Sequence, residues 1–306
     1  MLTTDWDTSD SRDSVLKLHE KLHLQHPSLK ITHFLGPYTF TDRKLSPARQ
    51  SYLADWMILL RRSFQDEIGL HIHPYCNFVN TVRGVHCRFK PSDTFRRGDS
   101  SGYTVLSSAY SETEFLHLLK AADALFVAHG LGKPTSFRTG SWAAGPQTLK
   151  ALAADGFVAD SSANNWERIR EESKNDGNGV LYTWNRQHWN AINDRSQPYF
   201  PGELEPMSDG VPAIPILEVP DNGSLVDYVT SDEMISIFRS NWQGQPLAKP
   251  VTYVFGFHPV SYNKTFHKRI EKTLNYIDRF LAVNGDGPVV YETLSNIAHV
   301  FQAPSH

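Results

Sequence analysis

The chain has 306 residues, is 40% hydrophobic and 21% charged, and carries a formal net charge of −3. This is globular composition with material for one large core, and the near-neutral balance gives no electrostatic reason to expect nucleic acid or an anionic membrane as a partner. No apolar run approaches the ~20 residues that span a membrane.

The first ten residues are polar and acidic, without basic or apolar signal regions, so a cytoplasmic protein is expected. Cys76 and Cys87, the only cysteines, are expected there as reduced thiols.

Apolar strand-like runs alternate with helical patterns along the chain. In order, the pattern predicts a strand at 2–5, helix 11–26, strand 31–40, helix 47–62 and strand 67–73. Helix 111–129, strand 136–139, helix 145–154 and strand 156–159 follow. The chain closes with strand 214–219, helix 231–242, strand 251–258, helix 265–281, strand 289–292 and helix 294–301. Ser111 with Glu114, and Thr230 with Glu233, have the form of capping boxes.

The alternation is the signature of an α/β fold with a mostly parallel sheet. Two long segments, 76–110 and 164–210, interrupt it; the second holds Trp166, Trp184 and Trp189. Such segments are read as functional loops. With no repeat and no linker, residues 1–306 read as one domain.

In parallel α/β folds the reactive groups gather where strands end. Thr4-Asp5-Trp6-Asp7 ends the first strand, and residues two apart point the same way. Asp5 and Asp7 therefore face one site, or else form an acidic turn that caps the next helix. His71 and His73 end the third strand with the same spacing and suit a divalent transition metal. His86 and Cys76 compete for that role.

Arg138 ends another strand, ahead of the small turn Gly140-Ser141, and has the fork to orient a carboxylate. Asp160-Ser161-Ser162 follows an apolar run, and His258-Pro259 ends a strongly apolar one.

These motifs, in this order, resemble the polysaccharide deacetylases, the carbohydrate esterases with the NodB homology domain, over nearly the whole chain. Tyr291-Glu292-Thr293-Leu294-Ser295 resembles the family's closing strand and helix. The resemblance implies an irregular (β/α) barrel of about seven strands.

It implies Asp5 as catalytic base, Arg138 as its orienting partner and His258 as general acid. Asp7, His71 and His73 are implied as ligands of a divalent metal, zinc first, with cobalt, nickel or manganese as alternatives. Ser141, Trp142, Asp160 and Trp166 are the candidate substrate contacts, with Trp166 and Trp189 either stacking on a sugar or packing within their loop.

The implied substrate is an N-acylated, in first place N-acetylated, sugar of a surface polysaccharide or its precursor, as in O-antigen assembly. The pattern departs from the family at three places. Trp6 separates the aspartates, Tyr75 stands where the second histidine is usual, and Gly140-Ser141-Trp142 replaces the usual Pro-Tyr-Gly. A metal-free amidohydrolase acting on a non-sugar amide and an inactive carbohydrate-binding protein are the competing readings.

Overall fold

The computed structural model describes residues 1–90, 94–99, 102–174 and 179–301. The elements run β1 (Leu2–Asp5), α1 (Asp13–Gln25), β2 (Ile31–Leu35), α2 (Pro47–Phe64), β3 (Glu67–Ile72) and α3 (Cys76–Val79). A hairpin, β4 (Thr94–Asp99) and β5 (Gly102–Val105), precedes α4 (Glu112–Ala128), β6 (Ser136–Thr139) and α5 (Pro146–Asp155). Then come β7 (Ala159–Asp160), α6 (Trp166–Lys174), α7 (Val180–Trp189), β8 (Leu217–Glu218) and α8 (Ser231–Asn241). The chain ends with β9 (Phe255–Phe257), α9 (Lys264–Ile277) and α10 (Leu294–Val300).

Seven strands form one parallel sheet in the order β8-β7-β6-β3-β2-β1-β9. The central strands are buried on both faces, as in parallel sheets covered by helices, although β1 and β6 carry mostly polar side chains. The chain leaving β8 then crosses to the far edge. Gly223 N–H donates to Val254 O at 2.6 Å, Gly256 N–H to Ser224 O at 3.1 Å, and Val226 N–H to Gly256 O at 2.8 Å. Residues 223–226 thus bridge the gap between β8 and β9, and the sheet curls into the irregular seven-stranded barrel expected from the sequence.

Both capping boxes are formed, at Ser111–Glu114 and Thr230–Glu233. Several boundaries differ from expectation for local reasons. The strand at 31–40 stops at Leu35, because Pro37 starts a 3₁₀ turn that runs to Phe40. The run at 156–159 contributes only the start of β7, since Gly156 takes a left-handed φ of 91° to close α5.

Pro215 and Pro220 flank β8 and hold it to two residues. Residues 289–292 form no strand; Val289 makes an isolated bridge with Leu281. Helix α9 ends at Ile277 and continues as a 3₁₀ turn at Asp278–Phe280.

The two long segments are more structured than loops. The first contains α3 and the hairpin; its residues 91–93, 100 and 101 lie outside the described residues. The second contains α6 and α7, with 175–178 outside the described residues. The expectation of reduced thiols is corrected: Cys76 and Cys87 form a disulfide, with Cα atoms 5.2 Å apart. Sequence spacing alone does not reveal that the turn after α3 brings position 87 back to position 76. Among the described residues, no helix is long and apolar enough to cross a membrane.

Candidate active site and metal centre

The ends of β1, β3, β6 and β9 meet around a cavity of about 220 Å³. Asp5, Asp7, His71, His73, Ser141, Trp142 and His258 line it, so the structure brings these sequence-derived candidates together. Trp6, between the two aspartates, turns into the core and is 1% exposed. Its indole N–H donates to Thr4 Oγ1 at 3.1 Å, and its carbonyl accepts from Tyr38. Alternation along the strand end therefore sends both carboxylates to the cavity and the ring away from it.

Asp7 is the hub. Its Oδ1 lies 3.1 Å from His71 Nε2 and 3.2 Å from His73 Nε2. These three side chains offer ligand atoms all within 4.8 Å of one another. Behind them, His71 Nδ1–H donates to the Arg138 carbonyl at 2.8 Å. Tyr75 stacks on His73 at 5.1 Å, and its hydroxyl donates to the Asp7 carbonyl at 2.9 Å.

Gly140 lies against the other face of the His73 site. A Cβ there would sit 2.4 Å from the imidazole, so only glycine leaves the ring room. Burial opposes charge on Asp7, but His258 and His73 beside it hold its carboxyl well below the usual range. Burial also pushes His73 below its ordinary value, which favours the neutral ring that a metal needs. His86, the competing ligand, is exposed on the loop and is not in this cluster, and Cys76 is committed to its disulfide.

Arg138 is fully buried at the barrel axis. Nη1 donates to both oxygens of Asp5, at 3.0 and 3.2 Å, and to Thr3 Oγ1 at 2.9 Å. Nε and Nη2 donate to the carbonyl and hydroxyl of Ser161, each at 2.8 Å. Asp221 lies 3.7 Å from Nη1. Burial raises the Asp221 pKa to about 6, against the pull of Arg138.

His258 is clamped between two carboxylates: Nδ1 is 3.2 Å from Asp227 Oδ2 and Nε2 is 3.6 Å from Asp7 Oδ2. Burial works against its charged form, yet Asp7 and Asp227 together push it up to about 10. Ser261 donates its hydroxyl to the other oxygen of Asp227.

Two expected substrate contacts lie elsewhere. Asp160 is fully buried beneath the site, accepts from Ser162 Oγ at 2.7 Å and faces Glu218. Burial raises both carboxyls of that pair, Glu218 far above its ordinary value. Trp166 packs against Tyr182 at 5.2 Å in a tryptophan-rich cluster with Trp184 and Trp189, outside the cavity wall. The segment folds into helices, and their apolar faces need one another more than the solvent-facing pocket.

Ser141 and Trp142 take left-handed φ of 57° and 55°. For non-glycine residues this costs ~1–3 kcal/mol each and marks sites where the surroundings enforce a geometry.

Asp227, Tyr75, Asp221 and Tyr228 were not singled out as site residues from the sequence. Asp227 follows the apolar pair Leu225-Val226, the same strand-end pattern that marked the others, in shorter form.

No family model matches the sequence, and no curated protein matches it. Solved structures do. A Mycobacterium smegmatis protein assigned as a polysaccharide deacetylase is similar at 15% identity and a TM-score of 0.47, over 94% of this chain and 76% of that one. A family 4 carbohydrate esterase from Streptomyces lividans, in complex with acetate, is similar at 10% identity and 0.43, over 95% and 96%. A 4-alpha-glucanotransferase from Thermococcus litoralis reaches a TM-score of 0.55 at 10% identity, over 98% of this chain but 40% of that one. The likeness to the glucanotransferase, at 10% identity, is one of fold.

Proposed function

We propose that the chain is a metal-dependent hydrolase that removes an N-acyl group, acetyl in first place, from a sugar. One observation carries the reading. His71 Nδ1–H is committed to a backbone carbonyl, which can only accept. In a neutral imidazole, Nε2 then presents a lone pair, and it points at a carboxylate oxygen 3.1 Å away. His73 Nε2 meets the same oxygen. A lone pair of His71 held this close to a carboxylate oxygen is reconciled by a cation, and one carboxylate with two imidazoles fits a catalytic site that keeps positions open. The donor set favours zinc, with cobalt, nickel or manganese as alternatives.

When bound there, a divalent cation supplies Lewis acidity and lowers the pKa of water toward ~7. Asp5, held in place by the two hydrogen bonds from Arg138, accepts the proton of the attacking water. The Ser141 backbone N–H serves the developing oxyanion; loss of one such donor costs about 3 kcal/mol. His258, anchored on Asp227, delivers a proton to the departing nitrogen. Trp142 forms the aromatic wall for the sugar.

The proposed substrate belongs to a surface polysaccharide such as O-antigen or to its precursor. The cytoplasmic setting expected from the polar first residues is at odds with the Cys76–Cys87 disulfide, because such bonds persist in oxidising compartments. We therefore place the reaction in an oxidising setting.

The test is acetate release from N-acetylated sugars by the wild type and by Asp5→Asn. The variant is expected to keep its metal and lose about 10²–10⁴-fold in turnover. Turnover that survives removal of all metal would support a metal-free amidohydrolase. Saccharide binding without turnover at any metal would support a binding protein.

A further inference from the structure

The cavity is walled by a part of the chain that the reaction itself does not need. Helix α7 brings Leu181, 6% exposed, to the same cavity as Asp5 and His258. It is fastened in place. Trp189 Nε1–H donates to the Trp142 carbonyl at 2.7 Å, and Asn185 Nδ2–H donates to the Ser141 carbonyl at 3.4 Å.

Asn164 donates to Asn185 in turn, tying α7 to the end of β7. Trp166, Trp184 and Trp189 bury the helix in an apolar cluster of their own. α7 is thus a fixed wall, and the left-handed Ser141–Trp142 turn is held against it.

Beside Trp142, at 6.0 Å, stands Tyr228, which is also perpendicular to His258 at 6.3 Å. Val260, half exposed, marks the mouth. The cavity, about 220 Å³ and open on its mouth side, falls below the ~300–1,000 Å³ of clefts that take a drug-sized ligand. A polymer deacetylated along its length needs a groove open at both ends of the reacting unit. Here Leu181 and Trp142 close one side, and the metal-ligand set closes the floor.

From this wall we infer that the substrate enters end-on, as a free N-acyl monosaccharide or the terminal unit of a chain, and that Leu181 and Trp142 determine this selectivity. The inference rests on the sugar-deacetylase reading above and narrows it.

The experiment uses the full metal-loaded chain and N-acetylated oligosaccharides of increasing length, starting from a single unit. The rate of acetate release and the position of the free amine in each product are both measured. End-on entry predicts amines at terminal units only, and a kcat/KM per chain that stops rising after the shortest substrates.

Leu181→Ala opens the wall and is expected to raise release from internal units about tenfold or more relative to terminal ones. Trp189→Phe breaks the Trp142 tie and shifts the ratio the same way. Far-UV circular dichroism and metal content confirm that both variants are folded.

Release from internal units by the wild type at the terminal rate would overturn the inference and leave the deacetylase reading intact. No release at any length would overturn both. An unchanged terminal-to-internal ratio in folded Leu181→Ala and Trp189→Phe would overturn the role of the α7 wall.

Discussion

Replacing Arg138 with methionine, which keeps volume and removes the fork, tests how the barrel axis is held. In the native protein the guanidinium spends its donors on Asp5, Thr3 and the carbonyl and hydroxyl of Ser161, all within 3.2 Å and all buried. The variant leaves Asp5 and Asp221 without the guanidinium between them, with only His258 as a nearby positive charge. Breaking a buried ion pair from one side costs ~3–5 kcal/mol, and each orphaned buried acceptor adds ~1–3 kcal/mol. Protonation relieves part of this, since Asp221 already titrates at about 6.

A net loss of about 3–5 kcal/mol is expected, a large share of the ~5–15 kcal/mol that a domain commands. Urea unfolding at neutral pH, followed by tryptophan fluorescence, measures it. Adding Asp221→Asn should restore part of the loss, with a coupling of about 0.5–3 kcal/mol. Arg138→Met within about 1 kcal/mol of wild type, or a strictly additive double variant, would refute the reasoning.

Other predictions concern the ligand set, the acid and the core. Gly140→Ala should displace the His73 ring and lower metal affinity about 10–100-fold, as loss of support around a ligand does, read by competition with a chelator. Asp227→Asn should lower the pKa of His258. Since the acid must be protonated to act, the alkaline limb of the pH–rate profile then moves to lower pH.

Burial, reinforced by neighbouring His33, pushes His19 down to about 3. Its folded pKa lies below the unfolded value of ~6.5, so its neutral form contributes fully above that value. Stability should fall by ~1.4 kcal/mol per pH unit as pH drops from 6.5 toward 3. His19→Phe should flatten that slope in denaturant titrations at several pH values.

Strand ends were legible because their chemistry breaks an apolar run. Asp5, His71, Arg138 and His258 each follow buried residues; Asp5, His71 and His258 face the cavity, and Arg138 meets Asp5 from within the protein. The pairing of His71 and His73 followed from the two-residue period of a strand. Asp160 followed the same rule yet lies beneath the site, because β7 is only two residues long and its next groups turn inward to Arg138 and Glu218.

Trp166 and Trp189 were ambiguous between stacking and packing, a choice that depends on where α6 and α7 dock and is not written in their own segment. The Cys76–Cys87 bond and the Asp227–His258 contact join residues through turns whose course periodicity does not describe.

The central claim is that Asp7, His71 and His73 hold a divalent ion. Elemental analysis of the purified protein beside His71→Ala tests it most directly. The account predicts about one zinc or similar ion per chain in the wild type and its loss in the folded variant. Absence of metal from both, even after divalent cations are supplied, would contradict it.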